Sequence, residues 1–388
     1  LPIINRIAEF HDEATEWRRD IHRHPELLYD VERTAALVAG KLREFGIEDI
    51  ATGIGRTGVV GIIRGREGGE GPVIGLRADM DALPLTEATG LPYASENDGL
   101  MHACGHDGHT AMLLAASRYL AETRRFDGTV AVIFQPAEEG GGGAKAMIDD
   151  GLLERFGIAE VYGMHNMPGI PVGRFGIRPG PLLASTDDFE IIVHGRGGHA
   201  AIPHLAIDPI FVGAAIVQAL QSIVSRGVDP LDSAVITVTT FNAGTASNVI
   251  ADTARLSGTL RALRADTRDF LADRLRTVAA SVAAAHGASA DIRIGRKYPV
   301  TSNHADATEF CASIADEIVG ADRVSRDTPP IMGAEDFSYM LEARPGAFIL
   351  IGNGDSAGLH SPKFDFDDEI IPLGASYWAT LVEKRLSG

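Results

Sequence analysis

Cys104, His106, Glu139, His165 and His360 offer a thiolate, a carboxylate and three imidazoles, a larger set than one tetrahedral zinc ion takes. Shared between two ions a few ångströms apart, with one residue and a water bridging, they make a centre that activates water and polarises a carbonyl. Glu138, beside Glu139, is left uncommitted. A carboxylate next to an activated water can take its proton and later pass it to a leaving amine, the proton shuttle that amide cleavage needs. Singly these residues say little, since a cysteine is commonly a small buried apolar group and a pair of glutamates a solvated turn. Their signal lies in where they fall.

They fall at the ends of strands. The apolar run Pro72–Arg77 ends in Ala78-Asp79-Met80-Asp81, and the run Gly128–Phe134 ends in Gln135-Pro136-Ala137-Glu138-Glu139. Glu160–Met164 leads into His165, and Ala347–Gly352 opens into a loop that reaches Leu359-His360-Ser361-Pro362. Such runs alternate with helical patterns, which reads as an α/β fold with a mixed, largely buried sheet between helices. Ligands of open α/β sheets bind outside the carboxyl ends of the strands, so these four ends are expected to meet in one crevice. His102-Ala103-Cys104-Gly105-His106-Asp107-Gly108-His109 precedes the helical pattern Thr110–Leu120, placing Cys104 and His106 in the entering loop, where Gly105 and Gly108 allow a tight fold.

His102 and His109 read as supporting or helix-entry residues, and His22, His24, His194, His204 and His304 lack partners at ligand spacing, so none joins the metal set. Gly53-Ile54-Gly55-Arg56-Thr57-Gly58 fits G-x-G-x-x-G, but the strand-like Val59–Ile63 follows it instead of a helix. It reads as a hairpin turn, and the chain has no other glycine motif suited to a nucleotide.

At 388 residues the chain is expected to form two domains. Apolar residues make up 45% and charged residues 23%, a globular mixture. A formal charge of -18 without a basic stripe argues against nucleic acid as a partner. No run approaches 18 consecutive apolar residues, and acids stand where a signal peptide is apolar, so a cytoplasmic protein without membrane association is expected. Two cysteines, Cys104 and Cys311, are no disulfide framework and are expected to be reduced.

At HACGHDGH, PAEEG, MHNMP, GRGGHAAIPH and MGAEDF, and from Arg23-His24-Pro25-Glu26-Leu27 onward nearly end to end, the chain resembles bacterial amidohydrolases of the aminoacylase and hippurate hydrolase kind, related to auxin-conjugate hydrolases. The resemblance implies hydrolysis of N-acyl or N-aroyl amino acids, with a dipeptidase or an N-acetyl-diaminopimelate deacetylase as alternatives within the same chemistry. A binding protein that has kept the fold without catalysis is the alternative of another class. It implies two divalent ions, zinc or manganese with nickel or cobalt as further options, on Cys104, His106, Glu139, His165 and His360, with Glu138 as base. The wider superfamily has His-x-Asp where this chain has Asp79-Met80-Asp81, which makes Asp79 a weak ligand candidate and Asp81 a carboxylate that orients a neighbouring imidazole.

From about Ala184 to Gly295 the pattern changes to strands such as Asp188–Val193 and Ala234–Thr239 around a helical run near Pro209–Ser225. This resembles the family's small α+β lid and dimerisation domain, inserted as residues 184–295 into a catalytic domain of residues 1–183 and 296–388. The resemblance assigns His199 to the developing oxyanion, in its own or a partner subunit's site, and Asn248 and Arg261 to the substrate carboxylate, which suits a guanidinium fork. Glu335 and Asp336 read as supports near the metals, and the implied assembly is a homodimer or homotetramer through the lid.

Overall fold

In the computed structural model, which describes residues 3–387, the apolar runs become strands of one eight-stranded sheet. Its first five in chain order are β1 (Ile50–Ile54), β2 (Gly58–Arg64), β3 (Val73–Asp79), β4 (Thr129–Gln135) and β5 (Ile158–Met167). Across the sheet they run β1-β2-β4-β3-β5, followed by Gly346–Gly352, Phe175–Gly176 and Val324–Ser325. β3 is parallel to β4 and to β5, and β5 is parallel to Gly346–Gly352. The carboxyl ends of these four strands therefore emerge on one side of the sheet. Every residue of β4 and of Gly346–Gly352 is buried, as expected of central strands covered on both faces.

β5 runs three residues past its apolar stretch, so His165 lies inside the strand, opposite Leu350, and not beyond its end. The G-x-G-x-x-G segment is the turn of the antiparallel β1–β2 hairpin, where Ile54 faces Gly58. A helix spans His106–Thr123 and is buried on nearly all sides, from His106 to Ser117 without a break. It packs on β3 and on the helices His11–Arg23 and Ile371–Arg385. A helix that is apolar all round is a core helix, and this one carries Met112, Leu113, Leu114, Ala115 and Ala116 into the main apolar cluster.

The chain divides into two compact units. The larger comprises residues 1–182, 302–329 and 336–388, and the smaller residues 183–301 and 330–335. The smaller unit is a four-stranded antiparallel sheet ordered Ala234–Ala243, Thr253–Ala262, Ser185–His194, Ser289–Arg296. Helices Pro209–Gly227 and Ala265–Ala285 bury Val212, Ile216, Leu220, Leu271 and Leu275 against Phe189, Ile191, Val193, Leu256 and Leu260 of the sheet. By length and composition Pro209–Gly227 is apolar enough to cross a membrane. Its buried positions recur at helical spacing within this core, which fits an amphipathic packing helix.

Candidate metal centre

The larger unit brings together all five ligand candidates. One atom each of Cys104, His106 and His165 lie within 4.8 Å of one another, and so do one atom each of Cys104, Glu139 and His360. Cys104 belongs to both trios. Its Sγ is 3.5 Å from His165 Nε2, and His360 Nε2 is 3.3 Å from Glu139 Oε1. A third group joins His106 and Glu139 to Glu138, which places Glu138 against the ligand set.

The tautomers suit a cation. His106 Nδ1–H donates to the Asp81 carbonyl at 2.8 Å and His165 Nδ1–H to the Asn166 carbonyl at 2.6 Å, so that in the neutral form of each ring Nε2 carries the lone pair. Metal-bound imidazoles are held in this way by their other nitrogen. His106 Nε2 is buried and makes no hydrogen bond among the described residues. Buried polar atoms seldom stay unpaired, so this donor set fits divalent cations.

Asp81 orients His106 through its backbone carbonyl, where the sequence had suggested its carboxylate. The carboxylate oxygen is 3.6 Å from His106 Nδ1, and its two oxygens accept the backbone N–H groups of Glu138 and Glu139 at 2.9 and 3.1 Å. Asp79 is spent elsewhere. Its oxygens take the Arg77 guanidinium at 2.8 Å and His109 Nδ1–H at 2.6 Å. Arg77 also reaches Asp336 at 3.0 Å, and Asp336 accepts from Gln135 Nε2 and from the Ala144 amide, fixing the turn after β4. In that turn Gly143 comes so close to Pro136 that a Cβ would lie 1.6 Å from its carbonyl oxygen. Ala137, just before Glu138, has φ +56°, a left-handed conformation costing about 1 kcal/mol without glycine, and donates its N–H to the Leu28 carbonyl. Glu335 is buried in the smaller unit, where its backbone carbonyl accepts from Thr301 Oγ1.

Electrostatics follow from burial. Burial opposes charge on Asp79, yet His106 and Arg77 hold its carboxyl well below the usual range. Burial also works against a charged His106, but Asp79 and Cys104 keep its affinity for a proton well above normal. Burial and the nearby Glu139 carboxylate push the Cys104 thiol up to about 12. A divalent cation at Sγ would invert that preference, since it stabilises the thiolate directly.

Sequence reasoning missed the supporting ionic groups. His22, set aside for want of partners, donates from Nδ1 to Asp107 at 2.8 Å and is fully buried with it. Arg18 is 3.5 Å from Asp107 and 2.7 Å from Asp368. A cation inside an apolar pattern, such as Arg77 within β3, was the available signal, because such a group is buried only with partners.

The candidates in the smaller unit are arranged otherwise. His199 and Asn248 are exposed and adjacent: Gly198–His199 pairs with Val249–Ile250, and Ala200 donates to the Asn248 carbonyl. This ribbon is a separate two-stranded sheet whose strands lie, along the chain, just beyond the pair in which His194 faces Thr253. Arg261 is half-buried and faces Thr186, at the other end of the same strand pair. The eight-residue step from Thr253 to Arg261 spans about 27 Å, so the structure separates Arg261 from His199 and Asn248.

A mixed α/β sheet whose parallel strand ends gather a thiolate, three imidazoles and two carboxylates defines a metal-dependent hydrolase. The chain belongs to peptidase family M20/M25/M40, whose model matches residues 75–384. It is 43% identical to the hippurate hydrolase of Campylobacter jejuni over 99% of both chains. It is 41% identical to the N-acetylcysteine deacetylase of Bacillus subtilis over 96% of both. Among solved structures, the Bacillus subtilis YXEP protein, described as a dinuclear metal binding peptidase of the M20 family, superposes with a TM-score of 0.85 at 36% identity, covering 98% of this chain and 99% of that one.

Proposed function

We propose that this chain hydrolyses the amide bond of N-acyl or N-aroyl amino acids, releasing a carboxylic acid and a free amino acid. The observation that carries the reading is the pair of trios sharing Cys104 with Glu138 beside them. Likeness over nearly the whole length to a hippurate hydrolase and an N-acetylcysteine deacetylase supports the substrate class. In this reading Cys104, His106 and His165 would hold one divalent cation and Cys104, Glu139 and His360 a second, and such ions would supply Lewis acidity toward water and the scissile carbonyl. Glu138 would take a proton from the attacking water and return it to the leaving nitrogen, the water ending as hydroxyl on the acid and hydrogen on the amine. Asp81 accepts the Glu138 backbone N–H and so fixes the backbone that aims it, and the Asp336 N–H donates to Glu138 Oε1 at 3.3 Å. The thiolate favours zinc, while the carboxylate suits manganese as the alternative.

His199 and Asn248 serve as donors to the substrate, and Arg261 pairs with its carboxylate. A separation of about 27 Å along one sheet exceeds the length of an N-acyl amino acid. His199 and Arg261 of one chain therefore serve different sites, which favours a homodimer, or a tetramer built from it, in which a partner supplies His199. Exposed Ile202, Leu205, Phe211 and Val249 of the smaller unit give such an assembly an apolar surface. Both cysteines are free thiols, which fits a reducing cytoplasm.

A kinetic panel of N-benzoyl and N-acetyl amino acids and dipeptides, each with added zinc or manganese, tests the assignment. Turnover of N-acyl amino acids above dipeptides is expected. No cleavage of any of them under either metal would rule the substrate class out.

A further inference from the structure

His109 stands among the ligand candidates without being free to act as one. Its ring centroid lies 4.6 Å from that of His165 and 5.5 Å from that of His106. One atom each of Asp79, His106 and His109 even lie within 4.8 Å of one another, as three ligands would. The hydrogen bonds argue against coordination. His109 Nδ1 lies 2.6 Å from Asp79 Oδ1, and Nε2 lies 2.7 Å from Asn166 Oδ1 and 3.1 Å from the Asn166 backbone nitrogen. Both ring nitrogens are spent on the protein, and the ring is 2% exposed.

Asn166 is the other end of this chain of contacts. It directly follows His165 on β5, and its carboxamide occupies the space where a side chain on Gly105 would begin: a Cβ there would lie 2.2 Å from Asn166 Oδ1. Gly105 sits between Cys104 and His106 at φ +93°, which only glycine adopts readily. One side chain thus touches the loop that carries Cys104 and His106 and belongs to the strand that carries His165. His109, one turn further along the helix that begins at His106, ties both to Asp79 at the end of β3.

We propose that Asp79, His109 and Asn166 form a positioning chain that sets the gap between Cys104 Sγ and His165 Nε2, 3.5 Å in this structure, and so prepares one of the two cation positions before a cation arrives. The proposal rests on the dinuclear reading above. Preparing a site in advance removes the cost of ordering its ligands at the moment of binding. Supporting groups of this kind typically change metal affinity by about 10–100-fold. The chain touches the Cys104–His165 side only. Glu139 and His360 approach Cys104 from other segments.

The test measures metal stoichiometry and affinity of Asn166→Ala and His109→Gln by titration into apo-protein, alongside the absorption that arises when cobalt(II) binds a thiolate, with circular dichroism to establish the fold. Folded variants are expected to keep one zinc tightly and to bind the second about 10–100-fold more weakly than wild type, with an altered cobalt–thiolate band. Folded variants that bind both ions within two-fold of wild type, with an unchanged cobalt spectrum, overturn the positioning chain while leaving the hydrolase reading intact. Equal weakening of both ions also overturns it, because a general loosening of the fold has that result. A wild-type protein that binds no second ion defeats the dinuclear reading itself. Should both variants fail to fold, the wild-type holoenzyme is titrated with a chelator while its imidazole resonances are followed: His360 is expected to lose its metal-shifted signal before His165, and the reverse order overturns the proposal.

Discussion

The deepest residues of the larger unit include Arg18, Arg77, Asp79, Asp81, His106, Asp107 and His109, whereas the core of the smaller unit is built from Phe189, Ile191, Val193, Ile216, Leu220, Leu256 and Leu271. The smaller unit buries an acid as well, but Asp187 is tied to Arg268 and Arg296 and serves its own packing. Its functional candidates His199 and Asn248 are at the surface. Burying an ion costs several kcal/mol unless partners are in place, so the larger unit retains its charges only through a closed network. Positions that hold cations must be dry and fixed, while positions that meet a substrate can be wet and separable. In the proposed reading the two units divide these tasks.

The sharpest contrast is expected from Glu138→Ala, which removes the proton shuttle and leaves the cation positions alone. It should lower kcat by about 10³–10⁴-fold while metal analysis still finds both ions; loss of an ion instead would make Glu138 a ligand. Arg77→Met breaks the buried Asp79–Arg77–Asp336 network and should destabilise the fold by about 3–5 kcal/mol in denaturant unfolding. A cost below about 1 kcal/mol would mean that the buried charges do not need each other.

For the exposed counterpart, His199→Ala should lower kcat by about 10²–10³-fold with an unchanged Tm. Mixing that protein with Glu138→Ala and allowing subunits to exchange should restore about a quarter of wild-type activity, because half the dimers then carry one intact site. No recovery would place both residues in one chain's site. Next in size is a pH effect. Burial opposes a charged His22, yet Asp107 and Glu87 hold its imidazole protonated up to about 9. A raised folded pKa means that this stabilisation is full below pH 6.5 and is lost as pH rises through about 9, amounting to roughly 3 kcal/mol. The stability gap between wild type and His22→Gln should close over that window, and a gap that widens reverses the assignment. Smallest of all, Arg255→Ala removes an exposed pair with Glu190 and should shift stability by no more than about 0.5 kcal/mol.

The sheet and the ligand candidates were legible because acids and histidines interrupt apolar runs where strands must end, and parallel strands send those ends to one side. Their supports were not. Arg77 reads as one residue of a strand until Asp336, far along the chain, is found opposite it. His109 and Asn166 lie beside candidates that the sequence did expose, but their mutual bond depends on how the helix His106–Thr123 meets β5. The separation of Arg261 from His199 follows from antiparallel register, which residue types alone do not fix.

The strand Gly346–Gly352 lies between β5 and Phe175–Gly176, although both of these precede it in the chain, as does the whole of the smaller unit. During synthesis β5 must therefore wait with an unpaired edge while well over a hundred further residues emerge. Bare strand edges recruit other chains, so nascent copies are expected to aggregate when translation outruns closure of the sheet. Because His360 follows that late strand, the full ligand set comes together only after this vulnerable interval has passed.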